Sequence, residues 1–424
     1  MARYHELPIG SDAEEPPIGD GDAVVAGTLE WLAREGARRM IARMLEEEVE
    51  GFLGRPRHAP REDDGGYRNG YAAEREIGIG TWSVPVRAPR VSDLPEGSRP
   101  FRSAILPRGR HLSELTRTLF ARLYLEGLSS GDFEPAMRQL MGERATLSPS
   151  TILRLRSEWA EEHAAWRQRP LLDRYAYVWC DGIHLPTGPD AETSCVLVVI
   201  GAREDGAKEL LAMDIGYRES AEAWADVLRG LRERGLRAPL LAMGDGALGL
   251  WGALSEVFPT TRHQRCWMHK ARNVVDRLPK RLQSQARRSL VEVWEAPTRV
   301  EAEIRRDAFA AWLGPRHEDA VELLVRDWAS LVAFHDFPAE HWRHLRTTNV
   351  IESVFAGVRL RTDVARRHGN RQNALVLVFK IVQRLAQSWH QLHGGEHLMT
   401  MLLAGVTFRD GLPVSGALEV PVAA

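Results

Sequence analysis

Three acidic residues stand where their side chains could bind a divalent cation. Asp181 and Asp245 each follow an apolar run, 175–180 and 240–243, that predicts a buried strand. A carboxylate just past the C-terminal end of a strand lies at the sheet rim, where α/β folds place their ligands. With Glu352, at the start of a predicted helix, the aspartates would supply oxygen ligands for Mg²⁺, or for Mn²⁺ as a substitute. That ligand set suits two-metal phosphoryl transfer.

The segment around Glu352 also has a purely structural interpretation. Asn349 is a favourable N-cap residue, and Glu352 follows it by three residues, as in a capping box. Apolar residues then recur at helical spacing and supply a face for burial: Ile351, Val354, Phe355 and Val358. Alone, Glu352 would simply cap a helix. The two upstream aspartates favour the catalytic interpretation, in which Asn349 supports the glutamate from the second shell by fixing the direction of its carboxylate.

A Cys-x-x-His pair, Cys266 and His269, lies between Asp245 and Glu352. It could form half of a zinc site, but no second pair with ligand spacing follows, because the chain has only three cysteines. Zinc is therefore not expected. The pair could pack the junction between a strand and a helix beside the metals, or His269 could contact a phosphate or the scissile strand.

Four segments in this order resemble the Mutator-type DDE transposases of bacterial insertion sequences. They are Trp-Cys-Asp-Gly-Ile-His at 179–184, Gly-Asp-Gly-Ala at 244–247, Arg-Cys-Trp-Met-His-Lys at 265–270 and Thr-Thr-Asn-Val-Ile-Glu-Ser at 347–353. The resemblance covers roughly residues 55–390. It implies metal-dependent cleavage and strand transfer of double-stranded DNA, both terminal inverted repeats and target. It also implies that the Cys-x-x-His pair is a recurrent motif of unsettled role.

The fold class predicted is α/β, with a ribonuclease H-like mixed sheet. Apolar runs predict strands at 175–180, 194–200, 209–215 and 239–243, and a fifth strand is expected at 260–267; helices are predicted at 220–234 and 248–257. In that fold the first and fourth strands are neighbours, so Asp181 and Asp245 can share a metal. The interval from Asp245 to Glu352 is 352 − 245 = 107 residues, more than the core needs, and the resemblance implies an all-α insertion there.

The region before this core is predicted to be mainly helical and to bind DNA. A helix from about residue 23 to 53 could be divided by Gly36, and an Asn-Gly turn is expected at Asn69 and Gly70. The predicted organisation is a flexible acidic arm (1–22), a helix with a small β element for DNA-end binding or dimerisation (23–110), a helix-turn-helix-like region (111–170), the core in two parts (174–275 and 346–395) around the insertion (276–345), and a C-terminal tail (396–424).

Basic residues are concentrated locally, although the formal net charge is only −2. Residues 259–290 contain nine Lys and Arg and one acid, Asp276. A basic block beside a carboxylate cluster suits a phosphate backbone, and a solvated helix face is the alternative. The predicted DNA contacts are Arg154, Arg156, Arg265, Lys270, Arg272, Arg359, Arg361, Arg366 and Arg367.

Composition excludes several other classes of protein. No run of about eighteen apolar residues predicts a membrane span, and the N-terminus has no secretory pattern. Three cysteines do not make a disulfide framework. We expect a bacterial cytoplasmic protein, associated with the nucleoid when acting, and at least a homodimer because two DNA ends must be brought together. Two alternatives remain open: a ribonuclease H-like nuclease or resolvase without strand transfer, and a non-catalytic DNA-binding protein derived from a transposase.

Overall fold

The computed structural model describes residues 22–57, 66–79, 82–106, 114–125, 149–186, 193–216, 220–362 and 371–414. The chain divides into two compact units, Met1–Ile152 and Leu153–Ala424. Several predictions lie outside the described residues: most of the acidic arm, the middle helix of the helix-turn-helix, Arg366, Arg367 and the end of the tail. None of the helices described is long and apolar enough to cross a membrane.

In the first unit, one long helix packs against short strands. Helix α1 (Asp22–Leu53) passes through Gly36 without a break, so the predicted division is wrong. A single glycine costs a helix only about 1 kcal/mol relative to alanine, and α1 is anchored beyond it by the fully buried Leu45. The antiparallel pairs are β1 (Tyr67–Tyr71) with β4 (Pro89–Ser92), and β2 (Arg75–Ile79) with β3 (Trp82–Val86); helix α2 spans Glu114–Leu125.

The predicted Asn-Gly turn is instead a bulge inside β1. Gly70 has φ +64°, and the register between β1 and β4 shifts between Arg68 and Tyr71. A glycine in this left-handed conformation can bend one strand as readily as it can reverse the chain. The Asn-Gly dipeptide therefore predicted the left-handed backbone conformation correctly, but this conformation occurs inside a strand and not in a turn between strands.

A five-stranded mixed sheet forms the centre of the second unit. Its strand order is β7-β6-β5-β8-β9. The three strands β5 (Tyr175–Pro186), β6 (Thr193–Arg203) and β7 (Lys208–Gly216) are antiparallel, whereas β8 (Leu241–Gly244) and β9 (Arg262–Arg265) run parallel to β5. The predicted succession of strands and helices along the chain is observed. Strands β5 and β8, the first and fourth of this sheet in chain order, are neighbours.

The two faces of this sheet are covered by different helices. Helix α3 (Pro149–Gln168) precedes the sheet. Helices α4 (Ala221–Glu233) and α5 (Leu248–Val257) cover one face of the sheet, where Trp224 and Leu254 pack with alternate residues of the strands. Ser220 caps α4 by accepting a hydrogen bond from the Ala223 N–H at 3.2 Å. The opposite face of β5 contacts the helical part of the chain, since the Trp179 indole donates to the His344 carbonyl at 2.9 Å.

Residues 276–345 contain helices and turns but no strand. After α6 (Trp267–Val275) come α7 (Lys280–Trp294), α8 (Arg299–Leu313), α9 (Glu318–Arg326), α10 (Trp328–Leu331) and α11 (Trp342–Leu345), with 3₁₀ turns at Ala333–Asp336 and Ala339–His341. The chain then returns to the sheet through α12 (Asn349–Thr362) and α13 (Arg371–Ala386), and ends its described part with α14 (Gly395–Leu403), β10 (Phe408–Arg409) and β11 (Leu412–Pro413).

Candidate active site

Asp181 lies within β5, five residues before its end, and not just past the strand as predicted. Strand β5 remains paired with β6 as far as Pro186, and Asp181 is opposite Val198. On its other side, β5 is paired with β8 only as far as Trp179. The apolar run ends at Cys180, but hydrogen bonds to one neighbour are enough to continue the strand. Asp181 therefore stands where β5 has lost its second neighbour.

Asp245 directly follows β8, as predicted. The parallel register pairs Trp179 with Met243, so Asp181 and Asp245 occupy matching positions, each two residues beyond this pair. The Asp245 Oδ1 atom accepts the Ala247 N–H at 2.8 Å, which fixes the carboxylate. Gly246 has φ +102° and lies against the Arg265 guanidinium, so a side chain at 246 would be both strained and obstructed.

Glu352 lies in the first turn of α12, and this helix packs against β5. The Thr348 carbonyl accepts the N–H groups of Ile351 and Glu352, both at 2.9 Å. The Thr348 hydroxyl lies 2.6 Å from Glu352 Oε1, to which it donates. Thr348 is therefore the cap that orients the glutamate, and Asn349, predicted for this role, is the first residue of the helix.

The Cys-x-x-His pair connects the strand before Asp245 to the helix of Glu352. Cys266 follows β9, and its N–H donates to the carbonyl of Gly244, the last residue of β8, at 2.8 Å. Its sulfur accepts the Thr348 N–H at 3.4 Å. His269 Nδ1 lies 3.5 Å from Glu352 Oε1. The motif thus contacts both parts of the chain that carry acidic candidates.

Contacts at this site shift the pKa values of both His269 and Cys266. The hydrogen bond to Cys266 raises the pKa of His269 to about 9 against the opposing effect of burial, and the negative charges of Glu352 and Asp181 act in the same direction. Burial alone would raise the pKa of the Cys266 thiol, but hydrogen bonds from His269 and Thr348 outweigh it, so this pKa lies below its usual value. At neutral pH, His269 is therefore a cation beside the acidic candidates.

One set of donors that the described residues bring together could hold a metal. The ligand atoms of Cys266, His269 and Glu352 lie within 4.8 Å of one another and provide three of the four donors of a zinc site. In the described structure, however, hydrogen bonds already engage the sulfur and Glu352 Oε1. Carboxylates are the hard oxygen donors that Mg²⁺ prefers, and the group of ligand atoms that the described residues bring within 4.8 Å of one another includes Glu352 but neither Asp181 nor Asp245.

Two predicted DNA contacts are instead internal, namely Arg265 and Lys270. Both donate to the Asp327 carboxylate, and the Lys270 side chain is fully buried. Burial lowers the pKa of Lys270, whereas Asp327 opposes this effect. Residue type alone could not identify the acceptor, because Asp327 lies 327 − 270 = 57 residues further along the chain.

The other predicted contacts lie at varied positions. Arg154, Arg272 and Arg359 are exposed, and Arg156 is half-buried. Arg361 donates to the Gly357 carbonyl at 3.0 Å. Thr348 is the functional residue that sequence analysis missed, although a threonine is also a good N-cap and precedes Glu352 by four residues.

The fold and the site define the class of protein. It has a mixed α/β sheet with acidic residues at the edge where β5 and β8 separate, and a thiol–imidazole pair beside them. The sequence model of the family described as "Transposase, Mutator family" matches residues 23–392. The chain therefore belongs to the Mutator family of transposases.

Curated relatives agree with this assignment. The transposase for insertion sequence element IS6120 of Mycolicibacterium smegmatis is 47% identical over 290 residues, which are 68% of this chain and 90% of that protein. The transposase for insertion sequence element IST2 of Acidithiobacillus ferrooxidans is 43% identical over 66% of this chain and 96% of its own length. A more distant relative, the transposase for insertion sequence element ISRM5 of Rhizobium meliloti, is 28% identical over 84% of this chain and 88% of its own length.

Proposed function

We propose that this protein binds the terminal inverted repeats of an insertion sequence and catalyses metal-dependent cleavage and strand transfer of DNA. The observation that carries the proposal is the matched position of Asp181 and Asp245 on neighbouring strands, together with the packing of the Glu352 helix against β5. A ribonuclease H-like core is proposed on the strand order, in which three antiparallel strands are followed by two strands parallel to the first.

The three carboxylates would hold two Mg²⁺ ions. Such ions, when bound, activate the attacking hydroxyl and stabilise the departing 3′-oxygen in an in-line displacement. Thr348 fixes Oε1 of Glu352, which leaves Oε2 without a hydrogen-bond partner among the described residues and available as a ligand. The His269 cation would contact the scissile phosphate or balance the acidic cluster. No nucleophilic side chain is required, since water or a 3′-hydroxyl attacks the phosphorus.

DNA binding is supported by an exposed basic surface on α6, on α7 and in the turn between them. Six of its cations are exposed and form no ion pair within the described part of the chain: Arg272, Arg277, Lys280, Arg281, Arg287 and Arg288. A phosphate backbone would supply the missing negative charge and release its counterions. Because two ends must be joined, the active form would be at least a homodimer, acting on DNA in the bacterial cytoplasm.

The test is a plasmid excision and integration assay with the terminal sequences that flank the gene. We expect Asp181→Asn and Glu352→Gln to abolish excision while retaining the folded structure. Glu322→Gln is the matched control, since Glu322 is an exposed acid on α9, and it should act as wild type. Cleavage without joining would favour the nuclease or resolvase. Binding of the ends without cleavage by wild type would favour the non-catalytic DNA-binding protein.

A further inference from the structure

A groove of about 770 Å³ opens beside the start of α12. Its walls come from separate parts of the second unit: Lys208 from β7, Arg343 and His344 from α11, Asn349 and Ser353 from α12, and Trp389 beyond α13. No carboxylate belongs to the set of described residues that line it. A groove of this volume accommodates a ligand of nucleotide size, whereas a DNA duplex is too wide to enter it.

Positive charge in the groove is concentrated and uncompensated. Burial, together with the charge of Arg343, lowers the pKa of Lys208 to about 8. Burial and the charges of Lys208 and Arg343 likewise lower the pKa of His344 to about 4. The Nε2 atom of His344 is buried and has no hydrogen-bond partner among the residues described. An anion bound here would relieve the repulsion between Lys208 and Arg343.

Trp389 offers a flat apolar surface to the same groove. Its ring is partly exposed, and within the described residues it stacks on no other aromatic ring and lies under no cation. Leu385 and Val354 provide the adjoining apolar wall. Stacking on an aromatic ring tolerates any base, because every base has a π face.

The groove lies next to the candidate active site. Asn349 precedes Glu352 by three residues on α12, and side chains at this spacing are about 5–6 Å apart at their Cβ atoms. Asn349 and Ser353 are four residues apart and therefore lie on one stripe of the helix, which lines the groove. A DNA strand that reaches Glu352 would consequently place a neighbouring nucleotide within reach of the groove.

We propose that this groove binds one unpaired nucleotide of the DNA strand that enters the active site, with its base stacked on Trp389 and its phosphate held by Lys208 and Arg343. The inference rests on the proposed transposase function. It deepens that function by adding a subsite at which a base leaves the duplex. Extrusion of a base costs unstacking energy, which the ring and the two cations would offset.

The experiment combines protein variants with a scan of the DNA. Duplexes of the element's end carry one abasic site each, placed successively at the positions that flank the cleavage site, and initial cleavage rates are measured. Trp389→Ala should lower the rate on intact DNA by about five- to 150-fold, the range of base–aromatic stacking. Trp389→Phe should retain most activity. The matched control is Trp312→Ala on α8, where the tryptophan is 37% exposed, and it should act as wild type.

At one position, removal of the base should cost wild type a similar factor and cost Trp389→Ala nothing further. At that position the two losses would not add, because both remove the same contact. Arg343→Gln should reduce the slope of log affinity against log salt by about one phosphate contact. If Trp389→Ala does not fold, Trp389→Leu keeps an apolar side chain and removes the ring.

The outcomes separate this inference from the proposed function. If wild type cleaves intact ends but every abasic site costs wild type and Trp389→Ala equally, the subsite does not exist and the transposase function stands. Unchanged cleavage of intact DNA by Trp389→Ala leads to the same conclusion. If wild type neither binds nor cleaves the intact ends, the proposed function fails and this inference fails with it.

Discussion

Replacing Thr348 with valine tests whether the capping hydroxyl positions the candidate glutamate, Glu352. Thr348 is fully buried, and valine has nearly its shape, so the change removes the hydroxyl and little else. The hydroxyl donates to Glu352 Oε1 at 2.6 Å and lies 3.3 Å from the Cys266 sulfur. Without it, the only contact recorded for Oε1 within the described residues is His269 Nδ1 at 3.5 Å, longer than a hydrogen bond.

The structure sets different magnitudes for stability and for activity. A hydrogen bond to a charged acceptor contributes about 1.5–3 kcal/mol. The Glu352 side chain is 39% exposed, so water can replace part of the lost bond. We therefore expect Thr348→Val to reduce the free energy of unfolding by only about 1 kcal/mol. Loss of a group that orients a metal ligand typically costs about 10- to 100-fold in metal affinity or activity.

The assay is a Mg²⁺ titration of the initial rate of DNA-end cleavage, paired with urea unfolding and with DNA binding in the absence of divalent metal. Thr348→Val should need more Mg²⁺ and bind DNA normally. Thr348→Ser, which keeps the hydroxyl, should recover most of the activity. Wild-type metal dependence in Thr348→Val would refute the reasoning. Equal losses in the valine and serine variants would also refute it, because serine keeps the hydroxyl and the hydroxyl alone would then not account for the activity.

Three further predictions concern the buried ion pair of Lys270, the basic surface and the buried His341. Lys270→Met should lower the free energy of unfolding by about 1.5 kcal/mol because it removes one of the two hydrogen bonds that Lys270 and Arg265 donate to the Asp327 carboxylate, whereas Arg272→Met, exposed on the same helix, should change it by less than about 0.5 kcal/mol and weaken DNA binding. Replacing Arg287 and Arg288 with glutamine should reduce the salt slope of DNA binding by about two, and an unchanged slope would remove this surface from the interface. Burial lowers the pKa of His341 from 6.5 to about 4, so its neutral form stabilises the fold above pH 6.5 and that contribution, about 3 kcal/mol, is lost as pH falls toward 4; urea unfolding should show a flatter pH dependence in His341→Gln.

Sequence patterns predicted the succession of strands and helices along the chain, because four of the five strands of this sheet are separate apolar runs bounded by turn signals; β9 is polar. They located Asp245 correctly at the end of β8, because β8 is short and buried on both faces and its apolar run ends where the strand ends. They misplaced Asp181, because the second half of β5 is held by β6 alone and its composition is not uniformly apolar. Strand ends that depend on one neighbour cannot be predicted from hydrophobicity.

Contacts between distant segments account for the remaining errors. Lys270 and Arg265 were predicted as DNA contacts from charge and proximity to a motif. Their partner Asp327 lies beyond α7, α8 and α9, and only the folded helical segment brings it to them. Asn349 was predicted as the cap because asparagine is favoured at this position over threonine, the residue at 348. The observed position of the first helical turn decides between them, and this position depends on how α12 packs.

The Cys-x-x-His motif gives a physical reason why a glutamate 107 residues after Asp245 can serve the same site. Cys266 hydrogen-bonds Gly244 at the end of the aspartate strand and Thr348 at the start of the glutamate helix. The next residue, Trp267, donates its N–H to the Arg346 carbonyl at 2.9 Å and its indole to the Leu331 carbonyl at 2.7 Å. Both ends of the helical segment are therefore held at one junction. The length of the helical segment therefore has little effect on the position of Glu352. Hydrogen bonds join the two ends of the segment beside the carboxylates and not at its far end.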